Sequence, residues 1–450
     1  MAKNALRHAI NTAKSSEGNT LINAFHSKWK KLNPIYNSVV EIAPPSSTSP
    51  VSSSTKTSPL QGVPFLVKEV INVENFATTL CDPSLKTSFA SSLFTKPKMK
   101  KDEADLVTLL KDKGGVVVGK TNVPLKGLDV QCDNPIYGLT LNPNDRSKTC
   151  GGSSGGSAVS VKLDMVPLAL GSDLAGSLRL PAAFCGVTSM RCSYGRVPST
   201  GHVPPAPPST DPEAESSLQL GPLCQDVGSV QTFLSIVGGN ETEENDPGSK
   251  PSILKPSDVS ISLSTQLGGF PVDAKVSTFL QNDFISNLTN AGIGNIDDVN
   301  EVATNNMNLK EIGKAYIAFS KRFFVEMNGR SSTKVLDNAV VYRDELRQII
   351  DDIIGENDVW ILPTCPAGLA FDLNPNKGRI DIEQENGDMK ATPYWPSVLT
   401  YVLPFTISGH PIVTMPIGKI GDLPLGVQVI GKRDGDDELL NVCRVLEDLC

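Results

Sequence analysis

The chain has 450 residues, of which 39% are hydrophobic and 20% are charged, enough apolar side chain to bury a large core. The net charge of −8 argues against a broad nucleic-acid-binding surface. No run of about 18 apolar residues occurs, so we expect no transmembrane segment. Met1–Lys14 lacks the apolar run of a signal peptide, and the nine cysteines form no CxxC pair. The composition therefore predicts a cytoplasmic protein with reduced thiols and no metal site.

The N-terminal part of the chain is predicted to be helical and then extended. Residues 1–42 are interpreted as helix followed by an extended stretch from 36 to 42. Residues 43–59 are almost all Ser, Thr and Pro, a composition that cannot bury a core and indicates a flexible surface insertion. We therefore predict an N-terminal unit at 1–59 and a main domain at 60–450.

From residue 60 onward, short apolar strands alternate with helices. The stretch 62–68 is predicted to be an apolar strand that carries Lys68. Leucines at helical spacing predict a helix over 102–113, capped by Asp102. The valines at 116–118 predict another strand. Further helices are expected at 157–166, 273–291, 309–354 and 436–449, and further strands at 167–170, 359–363, 411–417 and 426–430. A second polar insertion spans 204–212. This alternation predicts an α/β fold with a covered sheet.

Three glycine-rich segments carry candidate chemistry, and the first is Gly114–Thr121. It fits the nucleotide-binding pattern GxxxxGK[ST]. A phosphate-binding loop follows a strand, however, and here the preceding segment is predicted to be helical. The three valines within the motif also favour a strand. A strand that enters a turn is the preferred interpretation, and nucleotide binding through Lys120 stays an alternative.

The second segment is Gly151–Ser157, with the sequence GGSSGGS. It matches the nucleophile pattern GxSxG twice, centred on Ser153 or Ser154. The preceding residues are polar and turn-rich, whereas that pattern normally follows a buried strand. A Ser-His-Asp hydrolase that uses His202 or His410 stays open as an alternative. Taken alone, the segment is typical of a linker.

The third segment, Gly171–Ala182, follows a predicted strand. The small residues before Ser177 let the backbone approach a ligand closely, with N–H groups free to face it. Such a turn suits an oxyanion site beside a hydroxyl nucleophile. The structural alternative is an ordinary strand-to-helix turn in which the serine caps the helix.

The sequence resembles the amidase signature hydrolases, a family that includes fatty-acid amide hydrolase. The resemblance rests on the order and spacing of three features: Lys68 in its apolar strand, the GGSSGG loop and the GSDLAGS turn. Further similar stretches are 119–124, 134–138, 194–197, 408–411 and 423–431. The resemblance is strong over residues 60–240, the signature core, and moderate over 355–450. It implies a single α/β domain with a central mixed β-sheet covered by helices on both faces, and an amidase domain at 60–450.

The resemblance implies a Ser–cis-Ser–Lys triad. Ser177 would be the nucleophile, Ser153 the bridging serine after a cis peptide bond to Gly152, and Lys68 the base. The family's spacing between the two serines, 177 − 153 = 24, selects Ser153 over Ser154. A lysine with an ordinary pKa of ~10.4 must be shifted to about 7–8 to act near neutral pH. Burial in an apolar strand would produce that shift by disfavouring the ammonium.

The same resemblance implies supporting roles. The backbone N–H groups expected to form the oxyanion hole are those of Leu174, Ala175, Gly176 and Ser177. Gly127 and Ser153 are expected at the substrate, and the expected supporting residues are Ser154, Asp173 and Arg179. The chain departs from the family's common pattern at Ala175, where many members have Gly, at Glu69, where Asp is common, and over 189–193.

The implied activity is hydrolysis of a small-molecule amide or ester through an acyl-enzyme, without a cofactor or a nucleic-acid partner. A homo-oligomer is left open. Two alternatives remain within the family: a subunit related to glutamyl-tRNA amidotransferase, and a catalytically weak homologue that acts by binding.

Overall fold

The computed structural model describes residues 4–15, 20–43, 58–84, 103–203, 217–239, 254–325, 333–374 and 376–450. Asp102 and most of the two polar insertions lie outside these described residues. The helix expected to begin at Asp102 begins at Asp105, and Ala104 at its N-cap position offers no side-chain cap. The position of the helix was therefore predicted, but its start was three residues too early.

An 11-stranded mixed sheet lies at the centre of the described structure. In spatial order its strands are β1 (Val39–Ile42), β3 (Val116–Thr121), β2 (Pro64–Lys68), β4 (Leu168–Asp173), β6 (Gln219–Cys224), β5 (Thr188–Arg191), β14 (Ile412–Ile420), β15 (Leu423–Gly431), β11 (Val359–Pro363), β7 (Ser260–Leu263) and β10 (Asn295–Asp298). Two small antiparallel pairs are β8 (Gln266–Leu267) with β9 (Phe270–Pro271) and β12 (Arg379–Glu383) with β13 (Met389–Pro393). The main sheet is mixed because β2 runs parallel to β3 and β4, whereas β6 runs antiparallel to β4.

Helices fill the connections between these strands. Their bounds are Ala5–Ser15, Thr20–Tyr36, Asp105–Asp112, Gly155–Lys162, Arg179–Cys185, Val227–Val237, Ala274–Phe279, Ile285–Asn290, Asn300–Asn306, Leu309–Val325, Thr333–Ile354, Tyr394–Leu399, Leu403–Ser408 and Asp436–Leu449. A π-helical turn at Leu280–Phe284 joins two of them, and 3-10 turns occupy Leu125–Gly127 and Pro256–Asp258. None of the helices in the described part of the chain combines the length and apolar character needed to cross a membrane.

Successive side chains of the central strands pack into different hydrophobic clusters. In β2, Phe65 and Val67 belong to one cluster, which also contains residues of the helix Val227–Val237. Leu66 belongs to a second cluster, which contains residues of the helix Gly155–Lys162. Because neighbouring residues of a strand point to opposite faces, both faces of the sheet are covered by apolar packing. The predicted α/β fold with a central mixed sheet is confirmed.

The N-terminal segments add to the same sheet and core. β1 pairs antiparallel with β3 at the edge of the sheet. The N–H of Ala5 donates to Asp226 Oδ2 and the N–H of Leu6 donates to Ser229 Oγ, each at 2.9 Å. These bonds fix the first helix against the start of the helix Val227–Val237. The division of the chain into 1–59 and 60–450 stays a prediction.

The segment that fits the nucleotide-binding pattern is a strand. Lys120 lies within β3 and is fully buried. Its Nζ donates to Ala77 O at 3.0 Å and to Thr78 Oγ1 at 2.8 Å. A phosphate-cradling loop needs open backbone N–H groups in front of a helix, whereas these residues pair with β2 on one side and β1 on the other. The preferred interpretation of this segment, a strand, is confirmed.

Two adjacent parallel strands bring distant parts of the sequence to one edge of the sheet. β2 and β4 pair in parallel register, with Phe65 opposite Leu168. Lys68 is the last residue of β2 and Asp173 is the last residue of β4. The carboxyl ends of neighbouring parallel strands lie side by side, which is where ligand sites of open α/β sheets occur.

Candidate active site

Lys68 is buried at the end of β2, with 1% of its surface exposed. Its Nζ donates to Ser153 Oγ at 2.7 Å, to the carbonyl oxygen of Ser172 at 3.2 Å and to Ser172 Oγ at 3.0 Å. Burial lowers the pKa of Lys68 to about 7, although the negative charge of Asp173 opposes this shift. A substantial fraction of Lys68 is therefore an uncharged amine near neutral pH.

The GGSSGG loop presents Ser153 to Lys68. The peptide bond between Gly152 and Ser153 is cis, as the resemblance implied. Glycine is required on both preceding positions, because a Cβ on Gly151 would lie 2.6 Å from Pro181 Cα and a Cβ on Gly152 would lie 2.5 Å from Asp129 O. The helix Gly155–Lys162 begins two residues after Ser153. The two glycines thus let this loop pack closely against Pro181 and Asp129, while Ser153 lines a cleft.

Ser177 lies in the turn after β4 and lines the same cleft as Ser153. The cleft has about 420 Å³ of empty space, part of it open to solvent. Ser154 is buried beneath it and ties the two loops together, since its N–H donates to Ser177 O and its Oγ donates to Ser172 O, both at 3.2 Å. Within the described residues, no hydrogen bond joins Ser177 Oγ to Ser153 Oγ. In ligand-free sites such catalytic contacts are often loose and tighten when substrate binds.

Asp173 and Arg179 form a fully buried ion pair below the cleft. Arg179 Nε donates to Asp173 Oδ2 at 2.9 Å and Nη2 donates to Oδ1 at 3.0 Å. Burial opposes ionisation of Asp173, but the charges of Arg179 and Arg191 hold its pKa well below the usual range. Arg179 also donates to Val402 O, to Gln428 Oε1 and to Thr406 Oγ1. The pair therefore fixes the turn that carries Ser177 to the C-terminal part of the chain.

The turn between Asp173 and Ser177 contains the backbone N–H groups expected to form an oxyanion hole. The N–H of Gly176 donates to Asp173 Oδ1 at 2.8 Å, so this donor is occupied by a side chain of the protein. Gly176 has φ of 90°, and a Cβ there would lie 2.9 Å from Val402 Cγ2. The candidate oxyanion donors that remain in this turn are the N–H groups of Leu174, Ala175 and Ser177.

Gly127 lies beside Ser153, where the resemblance expected a substrate-contacting residue. It lines the cleft, has φ of 68°, and a Cβ on it would lie 3.7 Å from Ser153 Oγ. The cleft wall also contains Ser172, which lies within the third glycine-rich segment, and His202, which the sequence offered only as a triad histidine. Sequence reasoning missed the other wall residues, which are Val70, Lys126, Leu128 and Leu218. Local signals existed for Val70, two residues after Lys68, and for Lys126 and Leu128, which flank Gly127. The place of Leu218 depends on chain packing.

The two histidines of the Ser-His-Asp alternative have other partners. His202 Nε2 lies 3.0 Å from Ser172 Oγ. His410 is buried, with Nδ1 2.9 Å from Ser408 Oγ and Nε2 3.0 Å from Asp351 Oδ1, and it is not among the residues that line the cleft. Neither histidine is hydrogen-bonded to Ser177 within the described residues. The alternative is therefore not favoured.

In the part of the chain that the structure describes, no group of three or more His, Cys, Asp or Glu side chains converges as a metal site. The groups that could act on a ligand in the cleft are hydroxyls, the buried amine of Lys68, the exposed side chain of Lys126, one imidazole and backbone N–H groups. These groups suit nucleophilic attack with proton transfer.

The edge of this mixed sheet carries a buried lysine, two serines and a glycine-rich turn, an arrangement that defines a class of hydrolase-like enzymes. Comparison with known proteins identifies the family. A family model described as Amidase matches residues 20–322 and 298–440. The chain belongs to the amidase family, also called the amidase signature enzymes.

Individual relatives agree with this assignment. The chain is 27% identical over 436 residues to the A subunit of glutamyl-tRNA(Gln) amidotransferase from Methanospirillum hungatei, covering 86% of this chain and 93% of that protein. Its fold is similar to a crystal structure of an amidase, with a TM-score of 0.77, 22% identity and coverage of 99% of each chain. It is also similar to fatty acid amide hydrolase, with a TM-score of 0.77, 18% identity and coverage of 100% of this chain and 85% of that one.

Proposed function

We propose that this protein is a cofactor-independent serine hydrolase that cleaves carboxylic amides, and the corresponding esters, through an acyl-enzyme on Ser177. The observation that carries the proposal is the contact between Lys68 Nζ and Ser153 Oγ at 2.7 Å, in a cleft that Ser177 also lines. A free serine hydroxyl is a weak nucleophile, and a neighbouring base is what activates it. A buried lysine with a pKa of about 7 is suited to act as that base.

In the first half of the reaction, Ser177 Oγ forms a bond to the carbonyl carbon of the substrate. Its proton passes to Ser153 Oγ, and the proton of Ser153 passes to the neutral amine of Lys68. The negative charge that develops on the carbonyl oxygen is stabilised by the backbone N–H groups of Leu174, Ala175 and Ser177, since that of Gly176 is bound to Asp173. When the C–N bond breaks, the proton returns through Ser153 to the leaving amine, and the acyl group remains as an ester on Ser177.

In the second half, water replaces the amine. The water oxygen attacks the acyl carbon while its proton follows the same path through Ser153 to Lys68. The ester bond to Ser177 breaks, Ser177 regains a proton, and the carboxylic acid leaves. Asp173 and Arg179 support this sequence by holding the turn in place and touch no reacting atom. Gly127 leaves room for the acyl group beside Ser153.

A fluorophosphonate probe with site mapping by mass spectrometry tests the proposal. We expect labelling at Ser177, no labelling in Ser177→Ala and a steep fall in Lys68→Ala. Ser147→Ala and Lys390→Ala are matched controls, because both residues are exposed and neither lines the cleft. Absence of labelling in folded wild-type protein, or labelling at Ser153 or Ser154, would contradict the proposal. An anilide and a nitrophenyl ester of the same acyl group then compare amide with ester cleavage.

A second candidate is a component of an amidotransferase complex, which is favoured by the relatives that carry this name and align with most of the chain. In that case the isolated protein would not hydrolyse simple amides. Release of ammonia from glutamine would instead require the companion subunits of such a complex. Assaying ammonia from glutamine with and without the companion subunits of the Methanospirillum hungatei enzyme separates the two candidates.

A further inference from the structure

His202 lies in the wall of the cleft but has no part in the proposed triad. It lines the cleft together with Ser153 and Ser177. Its Nε2 lies 3.0 Å from Ser172 Oγ, and the same Oγ lies 3.0 Å from Lys68 Nζ. A single hydroxyl group therefore connects this imidazole to the candidate base.

The backbone holds His202 in this position. The N–H of Asn72 donates to Gly201 O, and the N–H of Val203 donates to Val70 O, both at 2.8 Å. These bonds attach the residues on either side of the histidine to the segment that directly follows the candidate base. The distance between imidazole and base thus depends on backbone pairing and not on a flexible side chain alone.

The hydrogen bonds of Lys68 restrict the orientation of the Ser172 hydroxyl group. As an ammonium, Lys68 has three N–H donors, which match its three acceptors. As a neutral amine it keeps two N–H donors and a lone pair, and the lone pair must face Ser153 to accept its proton. The two remaining donors then serve the carbonyl and the hydroxyl oxygen of Ser172.

Ser172 has one hydroxyl hydrogen, and its Oγ has two nitrogen neighbours. If this hydrogen is donated to Lys68, it occupies the lone pair that Ser153 needs. If it is donated to His202, the lone pair stays available. The two arrangements exclude each other because a hydroxyl has only one hydrogen.

We propose that His202 is a positioning residue, whose Nε2 accepts the hydroxyl hydrogen of Ser172 and so keeps the lone pair of Lys68 directed at Ser153. This inference rests on the proposed function of Lys68 as a base. It requires a neutral imidazole with its hydrogen on Nδ1. With the hydrogen on Nε2, His202 would donate to Ser172 and turn the serine hydroxyl toward Lys68.

The test measures the rate constant and the half-saturating concentration for fluorophosphonate labelling of Ser177. His202→Leu keeps apolar bulk but offers no acceptor, and we expect its limiting rate to fall about 10- to 100-fold with an unchanged half-saturating concentration. His202→Gln carries an amide oxygen near the position of Nε2, and we expect a rate within about threefold of wild type. His8→Leu is the matched control, because His8 lies on the first helix and outside the cleft.

A double-mutant cycle with Ser172→Ala decides whether His202 acts through Ser172. We expect the double variant to lose no more than the more damaging single variant, because both substitutions break the same connection. Equal labelling of wild type and His202→Leu would overturn the inference and leave the proposed function intact. Additive losses of labelling rate in the double variant would also overturn the inference. A His202→Gln variant that labels as slowly as His202→Leu would overturn it too, because both results would mean that His202 acts through its packing and not through Ser172. A wild-type protein that does not label would overturn the proposed function and this inference together.

Discussion

Lys68 and Ser153 are 85 positions apart in the chain, and the lysine Nζ lies 2.7 Å from the serine Oγ. The lysine ends a fully buried strand, and the serine belongs to a glycine-rich loop that enters a helix. Burial shifts the pKa of Lys68 downward to about 7. The contact therefore joins a hydroxyl to an amine that can accept a proton near neutral pH.

The labelling rate of Ser177 should rise with pH through about 7, following the pKa of Lys68. Below that pH the ammonium form has no lone pair to accept a proton, and above it the neutral amine predominates. Stopped-time labelling between pH 5 and 9, corrected for probe hydrolysis without protein, measures this profile. A rate that stays flat or falls across the range would contradict the assignment of Lys68 as base.

Replacing Lys68 with methionine should stabilise the fold, and more so at pH 6 than at pH 9. The folded-state pKa of about 7 lies below the unfolded value, so between the two values the unfolded chain binds more protons and wild-type stability rises with pH. The gain in unfolding free energy from Lys68→Met should therefore be about 2–3 kcal/mol smaller at pH 9 than at pH 6. Urea unfolding at both pH values tests this, with the exposed Lys390→Met as control. A gain independent of pH would contradict the lowered pKa.

Arg179→Met should destabilise the protein by about 3–5 kcal/mol, because it leaves the buried carboxylate of Asp173 without its main partner. Replacing both residues, as in Asp173→Asn with Arg179→Met, should recover part of that loss. Denaturant unfolding measures both effects. Lys314→Met is the control, since its ion pair with Glu311 is largely exposed and should change stability by less than about 1 kcal/mol. Similar losses of unfolding free energy in Arg179→Met and Lys314→Met would contradict the burial of the Asp173–Arg179 pair.

Gly127→Ala should slow labelling and hydrolysis, because the new methyl group would point toward Ser153 Oγ at 3.7 Å and narrow the cleft. The residue has φ of 68°, so the substitution also adds backbone strain of roughly 1–2 kcal/mol. Gly387→Ala separates the two effects, since Gly387 has φ of 85° but its Cβ would meet no atom within 4 Å. Both variants should lose stability, and only Gly127→Ala should lose activity. Equal activities would argue that Gly127 does not border the substrate.

Local patterns predicted several elements of the fold and missed others, among them the strands β5, β6, β7 and β10. The strand at 359–363 and the helix at 436–449 have the observed bounds, because apolar runs and helical periodicity are properties of short segments. The helix predicted at 157–166 runs instead from Gly155 to Lys162, starting within the glycine-rich motif. Glycine has a low intrinsic helix propensity, and the close packing of the loop overrides it there.

The sequence by itself determined the alternation of strands and helices and the family resemblance. It also indicated Lys68, Ser153 and Ser177 as candidate site residues, since close backbone packing and hydroxyl chemistry restrict which residues can occupy those motifs. Only the tertiary structure decided which groups surround them. The contacts of Arg179 with Val402 and Gln428, and of Ser172 with His202, join segments that no local pattern relates. Such contacts follow from which strands become neighbours in the sheet, and that depends on the packing of the whole chain.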